Sequence, residues 1–235
     1  MAHTFTAAGN ANTDNAQAKF GTTSCEVQLL TDYISAPDSA DFAFGTGDFT
    51  IEGFFYADGN ASNGYILSQG QVDTSFALAT YGGGVQPACY FSYATNNAAW
   101  SYADFPGGAL SQNAWHHCAM VRSGTEFYGY SDGTRYTIGT GNSTAMDDSA
   151  AAVLIGENGG VNGWVDEVRV IKGTAMYTAS TITVPTVAFD QCVQACDLLL
   201  HMEGTDGGTS FLDSSDDACP VTLQMISSLL LMGVG

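Results

Sequence analysis

Short segments with strand character, separated by glycine-rich turns, fill most of the chain and restrict what it can fold into. In Phe49–Tyr56, polar and apolar side chains alternate before an aromatic end, as in a strand that packs on a core. Similar segments recur about every 8–15 residues, and this spacing predicts an all-β antiparallel sandwich or barrel. The further segments of this kind are Tyr65–Ser68, Ser75–Ala79, Cys89–Tyr93, Trp115–Val121, Glu126–Tyr130, Arg135–Ile138, Val153–Gly156 and Trp164–Ile171.

Local signals add one hairpin and two helical turns to this pattern. Ser131–Thr134 contains the Asp-Gly pair that favours a tight turn between two antiparallel strands. Asp38–Phe42 and Ala175–Ala179 indicate short helical turns. The sequence has no longer amphipathic helix, so the strands must supply the core.

Side-chain alternation also predicts which residues are buried. Glu52 alternates with apolar neighbours and is expected to be solvated or paired with Arg122 or Arg169. The residues of this strand expected to face the core are Phe49, Ile51 and Phe54. Large aromatic residues elsewhere are expected to be packing anchors rather than sugar platforms, and these are Trp115, Trp164 and Tyr177.

The charge balance excludes two classes of partner. Five Lys and Arg residues stand against 24 Asp and Glu residues, which gives a formal net charge of −19. Nucleic acids and anionic membranes bind clustered cations, so neither is expected as a partner. The acidic residues are expected to form a solvated surface that tolerates high salt.

Targeting signals are not apparent. The stretch Ala2–Phe20 lacks the basic head and apolar run of a signal peptide. Met225–Val234, the longest apolar stretch, is far shorter than the roughly 20 residues that cross a bilayer. We therefore expect neither secretion by the general route nor membrane insertion, which suits a cytosolic protein or a virus particle assembled inside a cell.

The cysteines do not form a zinc pattern. Cys192 and Cys196 are three residues apart, without the second pair or the histidines that a zinc site needs. Cys89 and Cys118 lie in strand-like segments and are expected to be buried free thiols. A disulfide between Cys219 and either Cys192 or Cys196 is left open, because connectivity cannot be deduced from sequence.

Four segments, in order, resemble the laminin-G-like members of the concanavalin-A-like jelly-roll superfamily. They are Ala36–Glu52, Trp115–Arg122, Gly163–Gly173 and Ala175–Thr178, and the resemblance extends over residues 5–189. Modules of this kind occur in bacteriophage virion proteins, tail fibres and extracellular adhesins. The resemblance implies a two-sheet antiparallel jelly-roll sandwich but does not fix a function.

The C-terminal part carries a segment that this family places first. Asp197–Gly208 and Phe211–Ser215 resemble the family's first strand and the turn after it. The sandwich is therefore predicted to be circularly permuted or strand-exchanged, with a jelly roll over 1–189 and a C-terminal strand and assembly tail over 190–235. Closure within the chain, with Leu198–Met202 beside the N-terminal strand, is favoured over exchange with a neighbour; a divergent tail without a fixed place is the third alternative.

The apolar residues of this end are expected to form an assembly surface, because they would be sticky if exposed. The predicted assembly residues are Leu198, Leu199, Leu200, Met225, Ile226, Leu229, Leu230 and Leu231. The resemblance also implies that a structural calcium ion is possible near the first strand and its turn, with Asp213 and Asp166 as candidate ligands.

No catalytic arrangement is apparent in the sequence. The glucanases of the same superfamily use a Glu-x-Asp-x-x-Glu strand motif, which this chain lacks. Asp166 and Glu167 are adjacent on a strand and are expected to face opposite sides, which excludes a shared site. His116 and His117 have no serine or aspartate motif nearby. The chain is therefore predicted not to be an enzyme.

Together these features predict a non-enzymatic virion structural protein that decorates a capsid or forms part of a tail or appendage. Its expected partners are other virion proteins, further copies of itself and host surface glycans. Its expected location is the virion surface, after assembly in the host cytoplasm. The alternative is a stand-alone carbohydrate-binding lectin module.

Overall fold

The computed structural model describes residues 2–59, 64–69, 75–81, 87–96, 101–104, 106–156, 161–190 and 195–215 of the 235-residue chain. Apart from a 3₁₀ turn at Ala40–Phe42, the regular structure in these ranges consists of β-strands. The strands are β1 Thr4–Ala8, β2 Asn12–Asp14, β3 Ser24–Val27, β4 Tyr33–Ala36, β5 Phe49–Ala57, β6 Tyr65–Gln69, β7 Phe76–Tyr81, β8 Ala88–Tyr93, β9 Tyr102–Asp104, β10 Trp115–Ser123, β11 Glu126–Ser131, β12 Thr134–Gly139, β13 Val153–Gly156, β14 Gly163–Lys172, β15 Leu198–Leu200 and β16 Ser210–Leu212.

The strands form two antiparallel sheets of eight strands, which confirms the predicted jelly-roll sandwich. Sheet A has the order β16-β1-β4-β13-β6-β7-β8-β9. Sheet B has the order β12-β11-β10-β5-β14-β3-β2, and β15 pairs with β14 beyond the end of β3. Sheet A joins consecutive strands from β6 to β9, whereas its other neighbours come from distant parts of the chain, so its faces combine residues from both ends and the middle of the chain.

The main core lies between the sheets. Phe49, Ile51 and Phe55 alternate along β5 and are fully buried in this core. Across the core, Phe91 of β8 packs onto Gly129 of β11, where a Cβ atom would lie 2.7 Å from the Phe91 ring. Gly129 therefore allows the two sheets to approach each other closely at this point. Fully burying a large apolar side chain such as that of Phe91 stabilises the fold by about 1.5–3 kcal/mol.

The predicted hairpin is confirmed, whereas one predicted helical turn is wrong. Asp132 and Gly133 join β11 to β12 with φ angles of +44° and +80°, as a tight two-residue turn requires. Ala40–Phe42 forms the first predicted turn, capped by the Ser39 hydroxyl. Ala175–Ala179 is not helical, because it belongs to an extended segment that crosses the outer face of sheet B.

Phe54 does not face the main core. Alternation from Phe49 and Ile51 places Phe55 between the sheets and Phe54 on the opposite side. There Phe54 is still fully buried, in a second cluster with Phe189 and Leu199. Both faces of β5 are covered, so an apolar residue does not by itself mark the face toward the main core.

Cys89 and Cys118 form a disulfide, which corrects their prediction as free thiols. Their Cα atoms are 5.8 Å apart, and the bond joins β8 of sheet A to β10 of sheet B. Cys25 and Cys196 are free. Cys192 and Cys219 lie outside the described residues, so the predicted pairing of these two cysteines stays a prediction, whereas the alternative with Cys196 does not form.

The C-terminal segment pairs with strands of its own chain. Leu198–Leu200 lies beside β14, with Leu199 opposite Arg169, and not beside the N-terminal strand as expected. The strand next to β1 is β16, with Phe211 opposite Phe5. The two ends of the described chain therefore meet at one edge of the sandwich.

Candidate functional site

The outer face of sheet B is closed by residues 173–190, which we call the strap. Tyr130 donates a hydrogen bond from its hydroxyl to Ala179 O at 2.9 Å. Phe189, near the other end of the strap, packs with Phe54 of β5 and Leu199 of β15. The face beneath the strap is therefore an internal surface and cannot receive a large ligand while the strap stays in place.

A buried ionic network centred on Glu52 lies beneath the strap. Glu52 is fully buried and accepts hydrogen bonds from Arg169 Nε at 3.0 Å and Tyr177 Oη at 2.9 Å. His117 Nε2 lies 3.0 Å from the same carboxylate. Burial raises the pKa of Glu52, but the hydrogen bond with His117 and the charge of Arg169 outweigh it and lower the pKa. Glu52 is therefore ionised. Its hydrogen bond with Tyr177 fastens the strap to sheet B.

Two adjacent carboxylates on β14 lie on the same side of sheet B, so the prediction of opposite faces is wrong. The pairing of β14 with β5 shifts register between Asp166 and Arg169, and Glu167 has a φ of +51°. This bulge interrupts the alternation that the sequence predicts. Asp166 accepts from the backbone N–H of Phe20, and Glu167 from that of Phe189; both of these aromatic residues pack on the outer face.

Asp166 and Glu167 serve to fasten segments that lie far apart in sequence. Burial raises the pKa of Asp166 to about 8, and the nearby Glu167 adds to the increase. Glu167 Oε1 lies 2.8 Å from His201 Nδ1, and the pKa of His201 is raised by this hydrogen bond. With Lys19 N also bonded to Asp166, the bulge joins the N-terminal loop, the strap and the C-terminal segment.

The predicted calcium ligands are occupied by protein donors. Asp213 accepts from Leu199 N at 3.1 Å and Ser215 N at 3.0 Å on one oxygen, and from His3 N at 2.7 Å on the other. Asp166 accepts three backbone N–H groups in the same way. Among the described residues, no group of three or more acidic, histidine or cysteine side chains has the arrangement of a metal site. Both carboxylates thus serve as acceptors for backbone N–H groups, and calcium binding by Asp213 and Asp166 stays a prediction.

His116 has an acidic partner that its sequence neighbourhood does not reveal. Its Nδ1 lies 2.7 Å from Asp132 Oδ2, while its Nε2 lies 2.8 Å from Ser111 O and 3.2 Å from Ser111 Oγ. A serine nucleophile needs Nε2 as its proton acceptor. Here Nε2 faces a carbonyl oxygen, which can only accept, so both nitrogens donate.

The hydrogen bonds of His116 therefore favour its charged form. Burial lowers the pKa of His116, but the hydrogen bond and the charge of Asp132 outweigh it and raise the pKa. The side chain joins Ser111, in the connection before β10, to Asp132 in the β11–β12 turn. This arrangement suits a structural clamp better than a proton relay.

The outer face of sheet A carries a row of tyrosines. Gly156 pairs with Tyr33 on one side and Tyr65 on the other, and Ala79 lies between Tyr65 and Tyr90. Tyrosine thus occupies β4, β6 and β8, while a small residue occupies each intervening strand. We call Tyr33, Tyr65 and Tyr90 the tyrosine row.

The tyrosine row differs in exposure along its length. Tyr65 is buried at its centre, whereas Tyr33 and Tyr90 are partly exposed and pack against the central cluster. Tyr81 stacks on Tyr90 with ring centroids 5.9 Å apart and an interplanar angle of 20°. Gly156 cannot be enlarged, because a Cβ would lie 2.5 Å from Asp32 O. Within the row, rings are therefore accessible at the two ends, Tyr33 and Tyr90, whereas Tyr65, Ala79 and Gly156 between them are buried.

Some of the predicted assembly residues are internal. Leu198 and Leu200 lie in the main core, and Leu199 packs under the strap. The remaining predicted assembly residues lie outside the described part of the chain, and these are Met225, Ile226, Leu229, Leu230 and Leu231. Their role in assembly stays a prediction. Within the described residues, no helix is long and apolar enough to span a bilayer.

A family model described as the Concanavalin A-like lectin/glucanases superfamily matches residues 30–178, more than half of the chain. The chain belongs to this superfamily. No curated protein matches the sequence. The predicted resemblance is therefore confirmed at the level of the family, and the superfamily includes both binding proteins and enzymes.

Solved structures share the fold at low sequence identity. Domain 4 of an extracellular arabinanase from Geobacillus stearothermophilus, solved with arabinotriose, matches with a TM-score of 0.53 and 14% identity, over 74% of this chain and 84% of that one. A putative carbohydrate binding protein from Bacteroides ovatus matches with a TM-score of 0.53 and 17% identity, over 87% of this chain and 53% of that one.

A phage protein has the same fold. The enzymatically active domain of tailspike protein 2 from bacteriophage CBA120 matches with a TM-score of 0.51 and 11% identity, over 93% of this chain and 34% of that one. The chain thus spans about half of the length of the Bacteroides protein and about a third of the length of the tailspike domain. At these identities the likeness shows the fold alone.

Proposed function

We propose that the chain is a non-enzymatic subunit of a virus particle surface and that it binds glycans at the partly exposed Tyr90 end of the tyrosine row. The observation that carries the glycan part is the stacking of the partly exposed rings of Tyr81 and Tyr90 at this end of the row. Aromatic rings offer large, flat apolar surfaces with a polar hydroxyl at the edge, which suits the apolar faces and hydroxyl groups of sugars.

The internal position of the three acidic residues on the outer side of sheet B, Glu52, Asp166 and Glu167, supports a role without catalysis. Glu52 is closed under the strap, and Asp166 and Glu167 are each less than 3% exposed. Glycoside hydrolysis needs two carboxylates on either side of an accessible bond. The carbohydrate-binding protein and the tailspike domain that share this fold support the glycan and virion parts of the proposal, respectively.

We expect Tyr90→Ala to weaken glycan binding about tenfold, which corresponds to the ~1.4 kcal/mol that one aromatic contact can supply. Glycans that bind the wild-type chain on an array are measured again by calorimetry with each variant. Tyr90→Phe keeps the ring and should retain most of the affinity. Tyr136→Ala, on the edge strand of sheet B, is the matched control and should bind like the wild type. Equal affinity of the Tyr90→Ala variant and the wild type contradicts the assigned face.

The virion part predicts self-association or binding to a particle. In sedimentation experiments at micromolar concentration, the full chain should form a defined oligomer or co-sediment with virus particles that lack it. The alternative, a stand-alone lectin module, predicts a monomer that binds glycans and no particle. A monomer in both experiments therefore contradicts the virion assignment while leaving glycan binding in place.

A further inference from the structure

The strap is held on sheet B by separate contacts rather than by a packed face. It is an extended segment without a strand or helix of its own, and all of its residues are described. Phe189 alone among them is buried, whereas the others are partly or fully exposed. Segments with few buried apolar contacts open more readily than the core of a protein. The hydrogen bonds that fasten the strap therefore determine how often it opens.

The end of the strap is fastened by one carboxylate that has two partners. Glu167 accepts the Phe189 N–H on Oε2 at 2.7 Å, and its Oε1 lies 2.8 Å from His201 Nδ1. The Glu167 side chain is 2% exposed, whereas that of His201 is 27% exposed and can exchange protons with water. A change in the charge of His201 therefore reaches the strap backbone through a single buried carboxylate.

The middle of the strap is fastened to a turn that a second histidine holds. Ile182 donates its N–H to Gly133 O at 2.8 Å, and a Cβ atom on Gly133 would lie 2.5 Å from Ile182 O. Asp132, the neighbour of Gly133 in this turn, lies 2.7 Å from His116 Nδ1 and accepts the N–H of His117. The protonation of His116 therefore bears on the turn against which the strap lies.

The first part of the strap is fastened to a carboxylate that stays ionised near neutral pH. Tyr177 donates to Glu52, whose carboxylate also faces His117 and Arg169. Burial raises the pKa of Glu52, but these partners outweigh burial and lower it, so Glu52 is ionised above about pH 4.3. Three of the chain's four histidines thus lie at a carboxylate or a turn that fastens the strap.

The charges around His201 determine how its contact changes with pH. The hydrogen bond with Glu167 raises the pKa of His201 against the effect of burial, and the charges of Asp166 and Glu203 add to the increase. The closed strap therefore favours the charged form of His201. Its contribution is fully present below the ordinary pKa of about 6.5 and is lost as the pH rises through the raised value.

His116 changes in the same direction. Burial and the charge of Lys19 lower the pKa of His116, but the hydrogen bonds with Asp132 and with Ser111 O outweigh them and raise it. The clamp between His116 and the turn is therefore also strongest below about pH 6.5 and weaker above the raised pKa. Both histidines thus hold the strap most firmly in weak acid.

From this arrangement we propose that residues 180–190 of the strap form a pH-dependent cover of sheet B, which is closed in weak acid and opens more often as the pH rises. The cover lies on a different sheet from the proposed glycan site and does not depend on it. Phe54 and Leu199 pack against Phe189 beneath the closed cover. Opening therefore uncovers an apolar surface that the closed protein hides.

Hydrogen exchange followed by mass spectrometry measures this opening directly. Protection of the Ile182 and Phe189 amides, in separate peptides and corrected for the intrinsic pH dependence of exchange, should fall about tenfold between about pH 5.5 and about pH 8.5. The reason is that a charge-assisted hydrogen bond is roughly twice as strong as a neutral one. Peptides from β5 are the internal reference and should keep their protection. Strap amides that change no more than this reference overturn the proposal.

Two variants separate the contributions of the histidines. His201→Gln keeps a donor toward Glu167 but cannot take up a proton, so it should remove the pH dependence at Phe189 and retain that at Ile182. His116→Gln should have the reverse effect. Each amide is compared with the reference peptides of the same variant, so a general loss of stability does not imitate the result.

The fourth histidine supplies the matched control. The side chain of His3 contacts Asp41 and Phe42, which lie outside the strap. His3→Gln should therefore leave the pH dependence of both strap amides unchanged. A pH dependence at Phe189 that survives His201→Gln, or one that His3→Gln removes equally, overturns the proposed cover.

Discussion

Replacing Glu52 with glutamine should lower the free energy of unfolding by about 3–5 kcal/mol, because Arg169 would keep its charge in a buried site without an opposite charge. Glu52 is fully buried and Arg169 is only 6% exposed, so water cannot replace the lost carboxylate. Glutamine has nearly the same shape, which keeps the packing under the strap. The effect is measured by urea denaturation at neutral pH, followed by tryptophan fluorescence.

A double-mutant cycle separates the ion pair from other effects. Arg169→Met alone should also be strongly destabilising, whereas the variant with both substitutions should lose clearly less than the sum. Asp148→Asn, which removes an exposed charge, is the control and should change stability by less than about 0.5 kcal/mol. A loss of less than about 1 kcal/mol in Glu52→Gln would contradict the assigned network.

The pH dependence of the same variant has a defined sign. The pKa of Glu52 is lowered in the folded protein, so its charge stabilises the fold above the unfolded pKa of about 4.3. This contribution is lost as the pH falls through the lowered folded pKa. The difference in stability between wild type and Glu52→Gln should therefore be largest near neutral pH and narrow in acid.

The strands could be predicted from the sequence because each one is a local pattern. Glu52 shows which details the alternation within one strand can predict. Alternation in Phe49–Tyr56 puts Glu52 and Phe54 on one side of β5, and Arg169 was among its predicted partners. The strap could not be predicted, because its extended backbone gains its hydrogen bonds from distant segments. As long as the strap is unknown, the core between the sheets is the one place where Phe54 can be predicted to be buried.

The candidate sites depend on relations that no local pattern contains. The tyrosine row exists only because β13 lies between β4 and β6, and these strands are far apart in sequence. The β14 bulge at Asp166–Glu167 lacks the glycine that marks many bulges, so alternation was the reasonable expectation there. His116 meets Asp132 because the β11–β12 turn folds back beside the start of β10. Register between strands, rather than residue type, determines each of these sites.

Removing the Cys89–Cys118 disulfide should destabilise the sandwich by about 3–4 kcal/mol, as expected for a cross-link that closes a loop of 29 residues. The variant Cys89→Ala/Cys118→Ala loses the cross-link and the volume of two sulfur atoms. The reduced wild-type chain loses the cross-link alone. Urea denaturation of both, compared with the oxidised wild type, gives the two contributions separately.

The position of this disulfide explains why the expected effect is large. It joins β8 of one sheet to β10 of the other in the fold, and in the unfolded chain it holds together two residues that are 29 positions apart, which lowers the entropy of the unfolded state. Cys25→Ala removes a buried free thiol and is the control for loss of sulfur volume. Peptide mapping of the oxidised protein should recover Cys89 linked to Cys118. If the reduced chain is as stable as the oxidised one, the cross-link does not stabilise the sandwich, and the packing between the sheets must supply its stability alone.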